Sequence, residues 1–274
     1  MSAGAESLRL HGPAGRWLLH ATAVVIFLFM YVPMVMLVLF SFNGSPLLLF
    51  PLANLSFRWY AALYADRELQ VSIWNSVVVV AAVVPLTLAL GVPLAISLQR
   101  YRIPGAGLIE KLTMIPLIVP GLITGLAILL VVKRVGLPLS LGTVVLGHTV
   151  GWLPVVVSQV HARLRRIDRR LEEASLDLGA TPWQTFWRIT FPGIRTAILG
   201  SALLVTTLSL NEVAITFFLT GQDNTMPMQI WAMLRHGITP EVNAIATLSM
   251  VLSVAAVVVA LRILRTREDE RPAA

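Results

Sequence analysis

A carboxylate stands where the chain is otherwise apolar. Glu212 lies in the second half of the run Thr196–Thr220, and an ionised carboxylate at the centre of a bilayer costs roughly 2.5–3.5 kcal/mol. Ser209, Glu212, Thr216 and Thr220 follow i, i+3, i+7 and i+11, so one continuous helix would carry all of them on a single face, with Asn211 and Thr207 on its flank. Such a stripe suits the wall of a water-filled path, with Glu212 as a counter-charge for an amine. Two other readings stay open: solvation of Glu212 near an outer interface, or a structural pairing with a neighbouring helix. His148 and Asn75 are isolated polar residues in apolar runs, and each reads as an interhelical hydrogen bond.

Other chemistries lack their residues. The lysines are Lys111 and Lys133, neither in a G-x-x-x-x-G-K-[ST] phosphate loop, so ATP has no such site here. No G-x-S-x-G elbow occurs, and no carboxylate pair sits inside the apolar runs to support acid–base work. There is no cysteine, and the histidines lack H-E-x-x-H spacing, which removes thiolate and zincin-type metal sites. The expectation is a chain without enzymatic activity, metal or cofactor.

The elements that position Glu212 must be membrane spans. Of 274 residues 57% are hydrophobic and 13% charged, and the mean hydropathy is +0.80, too apolar for a solvated surface. Six runs are long enough to cross a bilayer, at about 20 residues each: residues 17–42, 71–98, 108–132, 139–160, 196–220 and 242–264. The first is too long for a signal-peptide core and has no small-x-small cleavage site before Asn43, so it reads as a retained span. An all-α membrane protein of six transmembrane helices is predicted.

Orientation follows from the cations, which resist translocation. With the N-terminus inside, Arg9, Arg16, Arg100, Arg102, Lys111, Arg163, Arg165, Arg166, Arg169, Arg170, Arg188, Arg195, Arg262, Arg265, Arg267 and Arg271 fall on inner segments. Only Arg58, Arg67, Lys133, Arg134 and Arg235 fall outside. Residues 1–16 and 265–274 are then cytoplasmic ends, and 17–264 is the membrane domain with an inner loop at 161–195. The formal charge of +7 is explained by these loops, not by nucleic acid.

Outer connections carry Trp59, Tyr60, Tyr64 and Trp231, suited either to anchoring at the interface or to docking an outer partner. Pro33, Pro85, Pro93, Pro116, Pro120 and Pro154 lie within spans, where each removes a donor and favours a kink. Gly121-x-x-x-Gly125 and Gly147-x-x-x-Gly151 allow close helix approach, with packing inside this chain favoured over packing between chains.

The longest inner loop is not a floppy linker. Glu172, Glu173, Ala174, Leu176 and Leu178 suit a helix, Gly179 can end it in the left-handed region, and Thr181-Pro182 reads as an N-cap followed by proline at the first helical position. Two short helices meeting at a glycine bend are predicted. The second presents Trp183, Phe186 and Trp187, a surface for either the lipid interface or a partner protein.

Glu173-Ala174-Ser175, then Gly179, Ile189 and Phe191-Pro192, resembles the EAA loop of type I ABC importer permeases, EAA-x3-G-x9-I-x-L-P. Ser175 replaces an alanine and Phe191 a leucine. Tyr31-Val32-Pro33, Ser41-Phe42-Asn43, Leu208-Ser209-Leu210-Asn211-Glu212-Val213 and the opening of the last span, Pro240 to Thr247, resemble the spermidine/putrescine-type branch, specifically its second permease.

The resemblance implies the type I importer permease fold in a bacterial inner membrane. It implies a polyamine-like solute and partners: a second, homologous permease, two ATPase subunits that bind ATP and Mg, and a soluble extracytoplasmic binding protein. ATPase coupling is implied for Glu172, Glu173, Ala174, Ser175, Asp177, Gly179, Ala180, Thr181, Trp183, Phe186, Ile189 and Pro192, with Glu173 pairing a cation of the ATPase. Opines, aminoethylphosphonate or other small organic solutes are alternative cargoes. A different class, an autonomous ion-coupled transporter using Glu212, predicts transport without ATP; a non-transporting scaffold predicts that Glu212 is dispensable.

Overall fold

In a bilayer every backbone group must be satisfied within the chain, and this sequence answers with helices. The computed structural model describes residues 13–269 except Leu48, Ala53, His236 and Ile238, with side chains from Trp17 through Ala255 and at Val258. Residues 1–12 and 270–274, with Arg9, Arg271 and much of both expected cytoplasmic ends, lie outside the described residues.

In chain order the helices are α1 (Pro13–Ser41), α2 (Arg58–Ala65), α3 (Arg67–Arg100), α4 (Ala106–Ile118), α5 (Gly121–Arg134), α6 (Leu141–Leu164), α7 (Arg170–Asp177), α8 (Pro182–Thr185), α9 (Phe191–Leu210), α10 (Ala214–Leu219), α11 (Met226–Arg235) and α12 (Pro240–Asp269). A π-helical turn, Phe186–Thr190, joins α8 to α9.

The chain divides into two compact units. One comprises the chain to Ala65 with Gly237–Leu248. In it, the end of α1 is knotted to the following loop: Ser41 Oγ meets Tyr60 OH at 2.7 Å, Trp59 Nε1 donates to the Asn43 carbonyl at 2.7 Å, and Asn43 forms an isolated antiparallel bridge with Leu55. Trp59 and Tyr60 therefore serve local structure, whatever else they contact.

The second unit comprises Asp66–His236 and the chain from Ser249 onward. Its core is aliphatic and centred on α3, α6 and α9, with Val79, Val83, Val144, Val156, Val160, Leu164, Ile194 and Val205 essentially inaccessible. Close packing is possible because Gly91 of α3 sits against Val156 of α6, where a Cβ would meet Val156 Cγ1 at 2.8 Å. Asn75 Nδ2 donates to the Asn224 carbonyl at 2.9 Å, in the segment that precedes α11, so its bond ties a helix to a loop and not two helices as its sequence context suggests.

Among the described residues, four helical stretches are long and apolar enough to cross a membrane: Trp17–Ser41, Arg67–Arg100, Leu141–Leu164 and Pro182–Leu210. Two expected spans differ from continuous helices. The third is broken, α4 and α5 meeting at 114°. Pro120 has no N–H to continue the ladder, and it forces Val119 into extended geometry, φ −78 and ψ 132. The fifth ends at Leu210, with Asn211 at φ −112 and ψ 8, and resumes as α10. The last expected run lies within α12, whose apolar stretch is Pro240–Ala255 among the described residues.

Candidate functional site

Two places gather the residues singled out by sequence: the bend between α7 and α8, and the break between α9 and α10.

At the bend, Gly179 takes φ +85 and reverses the chain with no Cβ to object. Thr181 then caps α8, its Oγ1 accepting from Gln184 N at 3.2 Å while Gln184 Oε1 accepts from Thr181 N at 2.9 Å, a reciprocal capping box. Ser175 Oγ lies 3.1 Å from Thr185 Oγ1, so the serine that replaces alanine in the EAA pattern adds a bond across the bend. Phe191, the other departure, packs on Trp187 with ring centroids 4.9 Å apart. A leucine there would lack that ring contact.

The second helix is not short. It runs from Pro182 without interruption to Leu210, because the π-turn absorbs Pro192: Phe191 N donates to the Phe186 carbonyl, one residue further back than an α-helix requires. The bend is thus the inner end of a 29-residue helical stretch, not a separate hairpin.

The two glutamates part company. Glu173 is exposed, its side chain 57% accessible, with Oε1 3.1 Å from Arg169 Nε on its own helix. Glu172 turns inward at 13%, against Arg100 at the end of α3, with Oε2 2.9 Å from Arg100 Nε. Its Oε1 accepts from Arg100 Nη2 at 3.0 Å and from Thr190 Oγ1 at 2.8 Å. Sequence spacing missed Arg100 and Thr190, since Glu172 lies 72 residues from the first and 18 from the second, beyond the reach of any local pattern.

Between α7 and α8 opens a cleft of about 530 Å³, lined by Ala174, Ser175, Gly179, Ala180 and Ile189 among others. Asp177, the last residue of α7, is exposed. Trp183 and Trp187 stay 68% and 46% accessible beside Phe186, an aromatic cluster that the described residues leave exposed.

The α9–α10 break corrects the expected stripe: Ser209, Glu212, Thr216 and Thr220 do not share one continuous helix face, because Asn211 to Val213 are not helical. Two local acceptors make the break favourable. Asn211 Nδ2 donates to the Thr207 carbonyl at 2.8 Å, and Glu212 Oε1 accepts from Ile215 N at 2.8 Å, capping α10 with its own carboxylate. Ser209 and Thr216 nevertheless converge, on either side of the buried His148 ring, at 2.8 Å from Nδ1 and 2.8 Å from Nε2. Asn211 is exposed, and Thr220 donates to the Asp223 carbonyl at 2.5 Å.

Both small-residue motifs receive α10. A Cβ on Gly121 would lie 3.2 Å from Ala214 Cβ and 3.8 Å from Glu212 Oε1, and one on Gly125 would lie 3.0 Å from Ile215 Cα. On the other side, Gly151 faces Ile215 Cδ1 at 2.9 Å and Gly147 faces Leu219. The packing is within the chain, as favoured from sequence. It also brings Glu212 beside Gly121, where α5 begins, so the two helix breaks adjoin.

Residues 87–271 match the family described as binding-protein-dependent transport system inner membrane component. Among curated relatives, the putrescine transport system permease protein PotI of Escherichia coli (strain K12) is 38% identical over 230 residues, 81% of this chain and 82% of that one. The spermidine/putrescine transport system permease protein PotC of Haemophilus influenzae is 31% identical over 250 residues, 91% of this chain and 97% of that one. A bacterial ABC transporter involved in import of the acidic polysaccharide alginate has a chain of TM-score 0.67 at 16% identity, covering 93% of this chain and 98% of its own. A chain of the MetNI methionine ABC transporter reaches 0.61 at 20%, covering 71% and 94%. At those identities the solved structures show the fold.

Proposed function

The chain belongs to the binding-protein-dependent transport system inner membrane component family, the multi-pass permeases of bacterial ABC importers, and from that premise we propose that it carries a polyamine of the putrescine or spermidine kind inward. The relatives at 38% and 31% identity bear those substrates in their names, and Glu212 offers the negative charge an alkylammonium ion needs. The observation that carries the reading is the inner bend, a preorganised elbow with an exposed carboxylate at Glu173, an open cleft and exposed aromatics.

In this reading the elbow is the ATPase-coupling element. Glu172, Glu173, Ala174, Ser175, Asp177, Gly179, Ala180, Thr181, Trp183, Phe186, Ile189 and Pro192 form or shape it, and Glu173 meets a cation of the ATPase. The chain hydrolyses nothing; two ATPase subunits bind ATP and Mg. A second permease completes the path, and a soluble extracytoplasmic protein delivers solute to it. Both termini are cytoplasmic, in line with the cation bias. Ser209, Asn211, Glu212 and Thr216 lie along the path, a role supported by the adjoining breaks at Pro120 and Glu212, since discontinuous helices border solute sites in many transporters. Closure of the ATPase dimer moves the elbow, and because that elbow is continuous with α9, the displacement reaches the membrane directly.

Co-purification from a native host tests this. The expected outcome is a complex holding an ATPase and a binding protein, with putrescine or spermidine eluting from the latter. An opine or aminoethylphosphonate eluting instead replaces the substrate; uptake by the isolated chain without nucleotide overturns the reading.

A further inference from the structure

Glu172 stands one residue before the EAA-like triplet, and its side chain points away from the surface that a partner can reach. It meets Arg100, the last residue of α3, through both carboxylate oxygens, and Thr190 of the π-turn adds a third contact. Side-chain accessibilities of 11% and 13% leave little water to compete with the pair. A partly desolvated ion pair with one charge-assisted hydrogen bond, Arg100 Nη2 to Glu172 Oε1, and Nε close to the second oxygen resists separation, because parting the partners would leave each charge poorly hydrated.

The elbow is joined covalently to the helical bundle at both ends, to α6 through residues 165–169 and to α9 through the π-turn. Beside it, Arg163 Nε of α6 donates to the Gly193 carbonyl of α9 at 2.9 Å. Glu172 to Arg100 adds a side-chain link to a further helix, α3, in which Pro93 removes a backbone donor shortly before Arg100 while Gly91 is packed tightly on Val156 of α6. Held at Gly91 and tied at Arg100, α3 has its missing backbone donor between the two attachments.

We propose that Glu172 and Arg100 are positioning residues that pass displacement of the α7–α8 elbow to the inner end of α3, so that α3 bends near Pro93 in step with α9. This rests on the reading of the elbow as the coupling element, but it assigns Glu172 an internal partner in place of one on the ATPase. Thr190 holds the carboxylate in register, and Glu173, one residue on, is exposed toward an outside partner in its pair with Arg169.

The test uses the whole complex in liposomes with putrescine as the probe. Glu172→Gln and Arg100→Gln are expected to keep ATP hydrolysis within about twofold while uptake per ATP falls about tenfold, and the exchange Glu172→Arg with Arg100→Glu to recover most of it. Unchanged uptake per ATP in both single variants overturns the inference and leaves the functional reading standing. A wild-type complex without ATP-driven uptake counts against the functional reading instead. Should that happen, or a variant fail to assemble, a distance decides: the chain has no cysteine, and Tyr101 and Leu171 are exposed, so Tyr101→Cys and Leu171→Cys accept spin labels. Linked segments keep that distance within about 2 Å between nucleotide-free and nucleotide-bound complexes, and a change beyond about 5 Å overturns the link.

Discussion

His148 Nδ1 lies 2.8 Å from Ser209 Oγ, and because Thr216 Oγ1 holds the opposite ring nitrogen at 2.8 Å, one imidazole spans the gap between α9 and α10. The ring is fully buried, and Thr216 Oγ1 also donates to the Glu212 carbonyl at 3.0 Å, so the imidazole sits inside a small buried polar network. Removing it leaves two enclosed polar groups without that partner and a void where α6 met the break. His148→Ala is expected to cost about 1–3 kcal/mol, seen as a lower melting temperature of the purified protein in detergent. A melting temperature equal to wild type would mean that the break holds itself.

Gly147 and Gly200 give opposite outcomes for one substitution. At Gly147 an added Cβ runs into Leu219, with Ile215 Cγ2 at 2.8 Å, whereas at Gly200 nothing lies within 4 Å. Gly147→Ala should destabilise by about 1–3 kcal/mol through overpacking, and Leu219→Ala in the same chain should relieve part of it. Gly200→Ala, inside α9, should be neutral or raise stability by up to about 1 kcal/mol in this chain taken alone. Thermal unfolding of the four proteins decides both.

What the sequence made legible follows the range of each interaction. The bend at Gly179 and the Thr181 cap were readable because turn and cap chemistry acts over three or four residues. Apolar runs located the spans, but run length says nothing about continuity, and hydropathy does not register that Pro120 and the Asn211–Glu212 pair stop their helices. The stripe through Glu212 was therefore drawn on a helix that is not there, although Ser209 and Thr216 do meet through His148. The difference between Glu172 and Glu173 was beyond local reading, since it is set by Arg100 arriving from a helix far away in sequence.

Glu212 has two candidate jobs that a conservative change separates. Its Oε1 accepts from Ile215 N, and a glutamine can do the same without charge. If the carboxylate also balances an alkylammonium ion, Glu212→Gln should preserve the melting temperature and reduce putrescine uptake about tenfold, the equivalent of about 1.4 kcal/mol. If it only caps α10, Glu212→Gln should transport normally and Glu212→Ala should lose about 1 kcal/mol of stability. Uptake and thermal unfolding measured on both variants separate the cases.

Glu173 and Arg169 form an exposed pair four residues apart on α7, a geometry worth only about 0.3–0.5 kcal/mol. Stability therefore has little stake in Glu173. Glu173→Ala should leave the folded permease unchanged in detergent, yet a partner cation that docks on this carboxylate would lose its counter-charge. The expected result is a complex whose putrescine uptake falls at least about tenfold, with weaker retention of the ATPase during purification, because a charged contact at an interface loses that much when one side is truncated. Raising the salt concentration should weaken ATPase retention in wild type and have less effect in Glu173→Ala. Normal uptake by the Glu173→Ala complex would remove this residue from the coupling element and place the ATPase contact on the aromatic cluster of Trp183, Phe186 and Trp187 instead.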